Sequence, residues 1–106
     1  MDINLILKET VKKIVSHYKP QKIILYGSYA YGKPDKNSDI DLFIIKNTSK
    51  PRMDRFKEVK KILWDVTNKG IPILPIIFTE RELKQRDKIN DIFIKEIISK
   101  GQILYE

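Results

Sequence analysis

Two carboxylates in alternation, Asp39-Ile40-Asp41, stand between Ser38 and an apolar run from Leu42 to Ile45. In an extended strand, residues i and i+2 face the same side. Asp39 and Asp41 therefore project together, with α-carbons roughly 7 Å apart. Ile40 points to the core between them, as do Leu42 and Ile44. Two carboxylates on one side repel unless something positive sits between them. A hard cation such as magnesium takes oxygen ligands and keeps water and substrate phosphate as the rest of its shell. With two ions about 4 Å apart, one can activate an attacking oxygen and the other can hold a triphosphate.

The second chemical element is Gly27-Ser28, at the end of an earlier apolar run that includes Ile24 and Leu25. Gly27 permits a backbone conformation or a close approach that a side chain would forbid. If Ser28 opens a helical turn, the free amides there favour an anion, and its hydroxyl adds a bond to a phosphate oxygen. Gly32 lets the chain leave that turn sharply. Ser38 is placed to cap the approach to the strand or to fix Asp39. A glycine-serine turn alone is common, and so is Asp-x-Asp, whose acids could simply pair with Lys33 or Lys36. The order GSYAYG, a short loop, then SDIDL, between two apolar runs, is far more specific. It points to chemistry on a nucleoside triphosphate.

The elements that must position these residues can be read in chain order. Asp2 to Tyr18 has helical periodicity, with Leu7, Val11, Ile14, Val15 and Tyr18 on one stripe, and Pro20 stops it. His17, the one histidine, falls in the last turn, where contact with the helix C-terminus or plain solvation accounts for it. Lys22 to Tyr26 is a strand and Ile40 to Ile45 a second. Residues 28–38 are too few for a parallel crossover, so the two strands are predicted to run antiparallel, with Gly27 beside Asp39. Pro51 suits a first helical position, and Phe56, Val59, Ile62, Leu63 and Val66 continue that helix to about Asn68. Trp64 lies beside the stripe and reads as packing. Lys69-Gly70 ends the helix.

Ile71 to Thr79 is a third strand, which Pro72 and Pro75 assign to an edge or to an irregular start. Thr79-Glu80-Arg81-Glu82 matches a capping box that opens a polar helix. Ile89 to Lys100 is a last helix, with Phe93, Ile94, Ile97 and Ile98 buried and Gly101 as terminator. Ile103-Leu104-Tyr105 adds a short final strand.

The totals set bounds on this scheme. A chain of 106 residues fits one domain, residues 1–106, with one core. Composition is 42% apolar and 33% charged, that of a globular protein. Without cysteine, neither a disulfide framework nor a thiolate zinc site can form. No apolar run approaches a membrane span, and the first residues carry an acid and no apolar signal core. A cytoplasmic protein is the expectation. The net charge of +7 raises a nucleic-acid partner, but the lysines are scattered without a nucleic-acid module. A solvated lysine-rich surface is the better reading.

At GSYAYG and SDIDL the chain resembles the minimal nucleotidyltransferase family, the smallest members of the DNA polymerase beta superfamily. The resemblance covers almost the whole chain. It implies an α/β (α+β) nucleotidyltransferase fold, a mixed sheet of three to four strands with helices mainly on one face. It makes Gly27 and Ser28, with Ser38 nearby, the nucleotide-binding residues. It makes Asp39 and Asp41 catalytic and the ligands of magnesium, one ion or two. The implied reaction transfers a nucleoside monophosphate, usually AMP from ATP, to a hydroxyl and releases pyrophosphate.

One position departs from the family pattern. The third strand usually carries a third carboxylate, and Leu74 occupies that position here. Either a partner or the substrate supplies the missing group, or the protein binds without turnover. Minimal transferases of this kind resemble the antitoxin half of a pair whose toxin is a small helical protein, often of the HEPN ribonuclease class. This chain has no Arg-x4-His ribonuclease motif, so it is not the toxin half. Its size also favours an acceptor site shared with a partner. The rival readings are a catalytically silent module that neutralises a partner by contact, and a nucleic-acid binder.

Overall fold

A computed structural model describes residues 2–67 and 70–106. The elements run α1 (Ile3–Tyr18), β1 (Lys22–Tyr26), β2 (Ile40–Ile45), α2 (Arg52–Ile62), α3 (Trp64–Thr67), β3 (Ile73–Phe78), α4 (Glu80–Lys88), α5 (Ile92–Lys100) and β4 (Gln102–Tyr105). They form the mixed α/β fold that the family resemblance implies. The four strands make one sheet in the order β3-β2-β1-β4. β1 pairs antiparallel with β2 and with β4, whereas β2 and β3 are parallel.

Strand alternation divides the core in two. Ile23, Leu25, Ile40, Leu42, Ile44, Ile73 and Ile77 face α1, α2 and α3, where Ile6, Ile14, Val59, Leu63 and Val66 meet them. Ile24, Tyr26, Phe43 and Phe78 face the other way, against Ile94 and Ile97 of α5 and the edge of Leu83. Each fully buried branched or aromatic side chain contributes roughly 1.5–3 kcal/mol. The Phe43 and Phe78 rings stack at 5.3 Å, and the Arg52 guanidinium lies 4.1 Å over Phe78.

The strand β3 is an edge, as its prolines require. Three devices close it. Pro75 has no amide to offer, Lys60 Nζ donates to the Ile73 carbonyl at 3.1 Å, and Arg55 Nη1 donates to the Ile77 carbonyl at 3.3 Å. Arg55 is buried and also bonds Glu82 Oε1 at 2.7 Å and the Lys50 carbonyl at 2.7 Å. Glu82 completes the predicted capping box with Thr79, so one carboxylate fixes both the start of α4 and the position of α2.

Several expectations are corrected. Pro51 is the N-cap of α2 rather than its first residue. The helix does not continue unbroken, because it ends at Ile62 and α3 restarts at Trp64. At Leu63 the amide reaches back to Val59 while its carbonyl already accepts from Val66 and Thr67. That offset keeps Val59, Leu63 and Val66 in the core and leaves Trp64 65% exposed instead of packed. The predicted end at Asn68 and Lys69 lies outside the described residues. The last helix begins at Ile92, capped by Asp91, and not at Ile89. Together with Leu83 of α4 it covers the Phe43 face of the sheet, and only a narrow stripe of α5 is buried. Ile94 and Ile97 are buried, while Phe93 and Ile98 are about half exposed.

Candidate active site

The pairing of β1 with β2 decides where the site lies. Tyr26, the last residue of β1, is opposite Asp41. The chain leaving β1 therefore turns over the Asp41 side chain. Gly27 has φ +76°, and a Cβ there would overlap the Asp41 carboxylate. The conformation favours glycine, and a side chain there would push the Asp41 carboxylate from its place.

The next residues form a turn rather than a length of helix. The Gly27 carbonyl accepts from the amides of Ala30 at 3.0 Å and Tyr31 at 3.1 Å, and the Ser28 carbonyl accepts from Lys33 at 3.0 Å. Gly32, with φ +77°, releases the chain into the loop. Among the described residues no hydrogen bond engages the amides of Ser28 and Tyr29. Those two donors and the Ser28 hydroxyl are what the turn can offer an anion.

The loop that follows is organised by Asp35. Its carboxylate accepts from the Asn37 amide at 2.8 Å, and its amide donates to the Ser38 hydroxyl at 2.8 Å. Ser38 Oγ in turn donates to Asp35 Oδ1 at 3.3 Å. The Ser38 side chain thus closes the approach to β2, and its contacts are with Asp35 rather than Asp39. The Ile40 amide then donates to the Pro72 carbonyl at 2.9 Å, which pins the start of β2 to the chain entering β3.

Asp39 is exposed and Asp41 is half-buried. Alternation from Asp41 places both on the sheet face of Phe43. Burial, then the charge of Asp39, raises the Asp41 carboxyl above its ordinary value. The Tyr26 hydroxyl is pushed up to about 12 by burial, with Asp41 and Tyr31 adding to it. Among the described residues, no lysine or arginine, Lys33 and Lys36 included, forms an ion pair with either acid.

Across the parallel ladder, Asp41 is in register with Leu74, which is 41% exposed. Among the described residues, no group of three or more acids or histidines is gathered to hold a metal. Glu80 lies at the opposite end of β3, where its amide donates to Asn47 Oδ1 at 3.0 Å. The side-chain oxygens at this end of β2 are those of Asp39 and Asp41, and the turn seated on Asp41 carries the Ser28 hydroxyl. Such a set fits a hard cation whose remaining ligands are water and phosphate oxygens.

From sequence, Tyr26 reads only as the end of a strand and Phe93 only as a core residue. Their rings meet edge to face at 5.9 Å and 86°, which brings the first turn of α5 against the strand that carries the site. The signal was hidden because Phe93 falls among isoleucines at helical spacing, where it reads as core.

A family model described as polymerase beta, nucleotidyltransferase matches residues 9–106. The chain belongs to the polymerase beta nucleotidyltransferase family. Three curated relatives come from Methanocaldococcus jannaschii, each bearing the name "Putative protein adenylyltransferase". The one designated MJ1305 is 36% identical over 98% of this chain and 72% of its own length. MJ0604 is 32% identical over 93% and 94%, and MJ0141 is 32% identical over 95% and 97%. Nucleotidyl transfer is the chemistry of the family, and the matched region contains the Gly27 turn, both acids and Leu74. No helix among the described residues is long and apolar enough to cross a membrane.

Proposed function

We propose that this nucleotidyltransferase transfers AMP from ATP, with magnesium, to a hydroxyl of a partner protein. The observation that carries the proposal is the seating of the Gly27 turn on the Asp41 carboxylate. It seats the turn that carries two unbonded amides and the Ser28 hydroxyl against Asp41, and among the described residues no lysine or arginine pairs with Asp39 or Asp41. The names of the relatives support AMP as the group transferred and a protein as the acceptor.

In this reading Asp39 and Asp41 hold magnesium, which supplies positive charge to the triphosphate. Ser28, through its hydroxyl and amide, and the Tyr29 amide bind phosphate oxygens. Gly27 keeps that cradle close, and Ser38 orders the loop that delivers Asp39. The acceptor oxygen bonds to the α-phosphorus, the bond from that phosphorus to the bridging oxygen breaks, and pyrophosphate leaves. Positioning and electrostatics dominate such in-line displacements. Leu74 offers no base, so a group of the acceptor protein takes the hydroxyl proton. The acceptor is a small helical HEPN-type protein, with this chain as the antitoxin of the pair. The resemblance to minimal transferases supports that part.

A second reading is favoured by Leu74 itself. With a leucine in register with Asp41, the fold can serve as a contact-only module that neutralises its partner without turnover. Incubating the protein with ATP, magnesium and the partner, then weighing the partner, separates the two. Gain of one adenylyl group, lost with Asp39→Asn, supports transfer. Unchanged mass with intact neutralisation supports contact alone.

A further inference from the structure

The helix α1 carries more apolar surface than the core uses. Ile6, Thr10, Ile14 and Tyr18 are buried, whereas Leu7, Val11 and Val15 are only partly covered. These three form, with Leu104 and Tyr105 of β4, the wall of a groove of about 670 Å³. Lys8 and Lys12 line the same groove and are exposed. Neither pairs with an acid among the described residues, in contrast to Lys13, which reaches Asp65 at 3.2 Å.

The two edges of the sheet differ in the same sense. The β3 edge is closed by Pro75, Lys60 and Arg55. The β4 edge, along which the groove runs, has no such closure from a lysine or arginine among the described residues. An open edge beside an apolar groove is a surface that natural proteins otherwise protect.

We infer that this groove docks an acidic segment of another protein, with apolar side chains on the face that enters it. Charge selects this occupant. A second copy would bring Lys8 and Lys12 against their own equivalents in a two-fold interface, on a chain already at +7. An acidic segment instead meets both lysines as rim contacts, which govern specificity and encounter. Gln102 pairs with Leu25, two residues before Gly27, so one end of the groove opens at the end of the sheet where the site lies. A protein seated there lies alongside the Gly27 turn. The inference extends the partner reading above but does not require turnover, since a contact-only module would dock the same way.

Benzoylphenylalanine placed at Val11 in the producing cell, followed by sequencing of the cross-linked peptide, tests it. The expected product is a segment of another protein, net acidic and with spaced apolar residues. Lys8→Glu with Lys12→Glu should lower its yield about tenfold, with an unchanged melting temperature as the folding control. The inference is overturned by cross-linking to a second copy of this chain or to nucleic acid. It is equally overturned by a yield no higher than that from the same probe at Ser99, or by a yield indifferent to the lysine changes. Because the readout is a cross-link, its failure is distinct from a failure of adenylyl transfer.

Discussion

Leu74 stands in register with Asp41, one strand over in the parallel pairing of β2 with β3. A carboxylate at that position would complete a three-acid site. Leu74→Asp should therefore raise adenylyl transfer at least about tenfold, a fraction of the roughly 10²–10⁴-fold that a well-positioned acid-base group contributes. Leu74 is not in the core, so the change costs little packing. In the metal-free protein a third negative charge lowers the melting temperature by a few degrees, and magnesium recovers it. Thermal melts with and without magnesium, alongside transfer assays, check both. Unchanged turnover with intact ATP binding would favour the contact-only reading.

Gly27 and Gly32 share a left-handed backbone but not a neighbourhood. A Cβ at Gly27 meets Asp41, and a Cβ at Gly32 meets open space. Gly32→Ala should cost roughly 1–2 kcal/mol, the ordinary price of that backbone conformation. Gly27→Ala should cost a similar amount, roughly 1–2 kcal/mol, because the overlap is with the free end of the Asp41 side chain, which can swing aside. It should also weaken ATP binding at least about tenfold, since Asp41 must move. Denaturant unfolding and ATP titration of the two variants provide the comparison.

Asp41→Asn should stabilise the metal-free fold while removing function. Burial and Asp39 raise the Asp41 pKa above its ordinary 3.8. A group raised in the folded state contributes stability that is fully present below its unfolded pKa and lost as pH rises through the folded one. At neutral pH the ionised carboxylate therefore disfavours folding, and the neutral amide relieves this. The expected gain is roughly 1–4 °C in melting temperature at pH 7, shrinking as the pH is lowered towards 4.

Glu82 has the opposite linkage. Burial alone would raise its pKa, but the Arg55 hydrogen bond, the Thr79 amide and the charges of Arg55 and Arg52 outweigh it and lower the pKa below 4.5. Its stabilisation is fully present above the unfolded pKa and is lost as pH falls through the folded value. Glu82→Ala leaves buried Arg55 without its carboxylate and removes half of the capping box. It should cost roughly 3–5 kcal/mol at pH 7, and the deficit should narrow below pH 4. Urea unfolding at pH 7 and pH 3.5 measures both.

Local signals in the sequence carried much of this fold. The short connection between the two apolar runs forced β1 and β2 antiparallel, and that single inference put Gly27 at the acids. Pro75 marked the edge strand, and Thr79 with Glu82 marked a helix start. Depth was harder to read than direction. Periodicity tells which residues share a helix face, not how much of the face a neighbour covers. Phe93 and Ile98 therefore read as core although α5 buries only a narrow stripe. Arg55 lies on the same face as Val59, but its charge masked a buried role that needs Glu82 and the Ile77 carbonyl from distant segments as well as the nearby Lys50 carbonyl. The Leu63 break has no proline or glycine to announce it. At the site, Asp39 and Asp41 stood out by spacing. The work of Ser38 in the loop depends on Asp35, whose contacts appear only in three dimensions.

The central claim is that the Gly27-Ser28 corner and the paired acids grip one polyphosphate through a divalent ion. Calorimetric titration of ATP, with and without magnesium, into the protein and into the Asp39→Asn, Asp41→Asn double variant tests it most directly. Magnesium-dependent binding to the parent protein, absent from the variant, is the predicted result. Binding that is indifferent to magnesium, or equal in the two proteins, would contradict it.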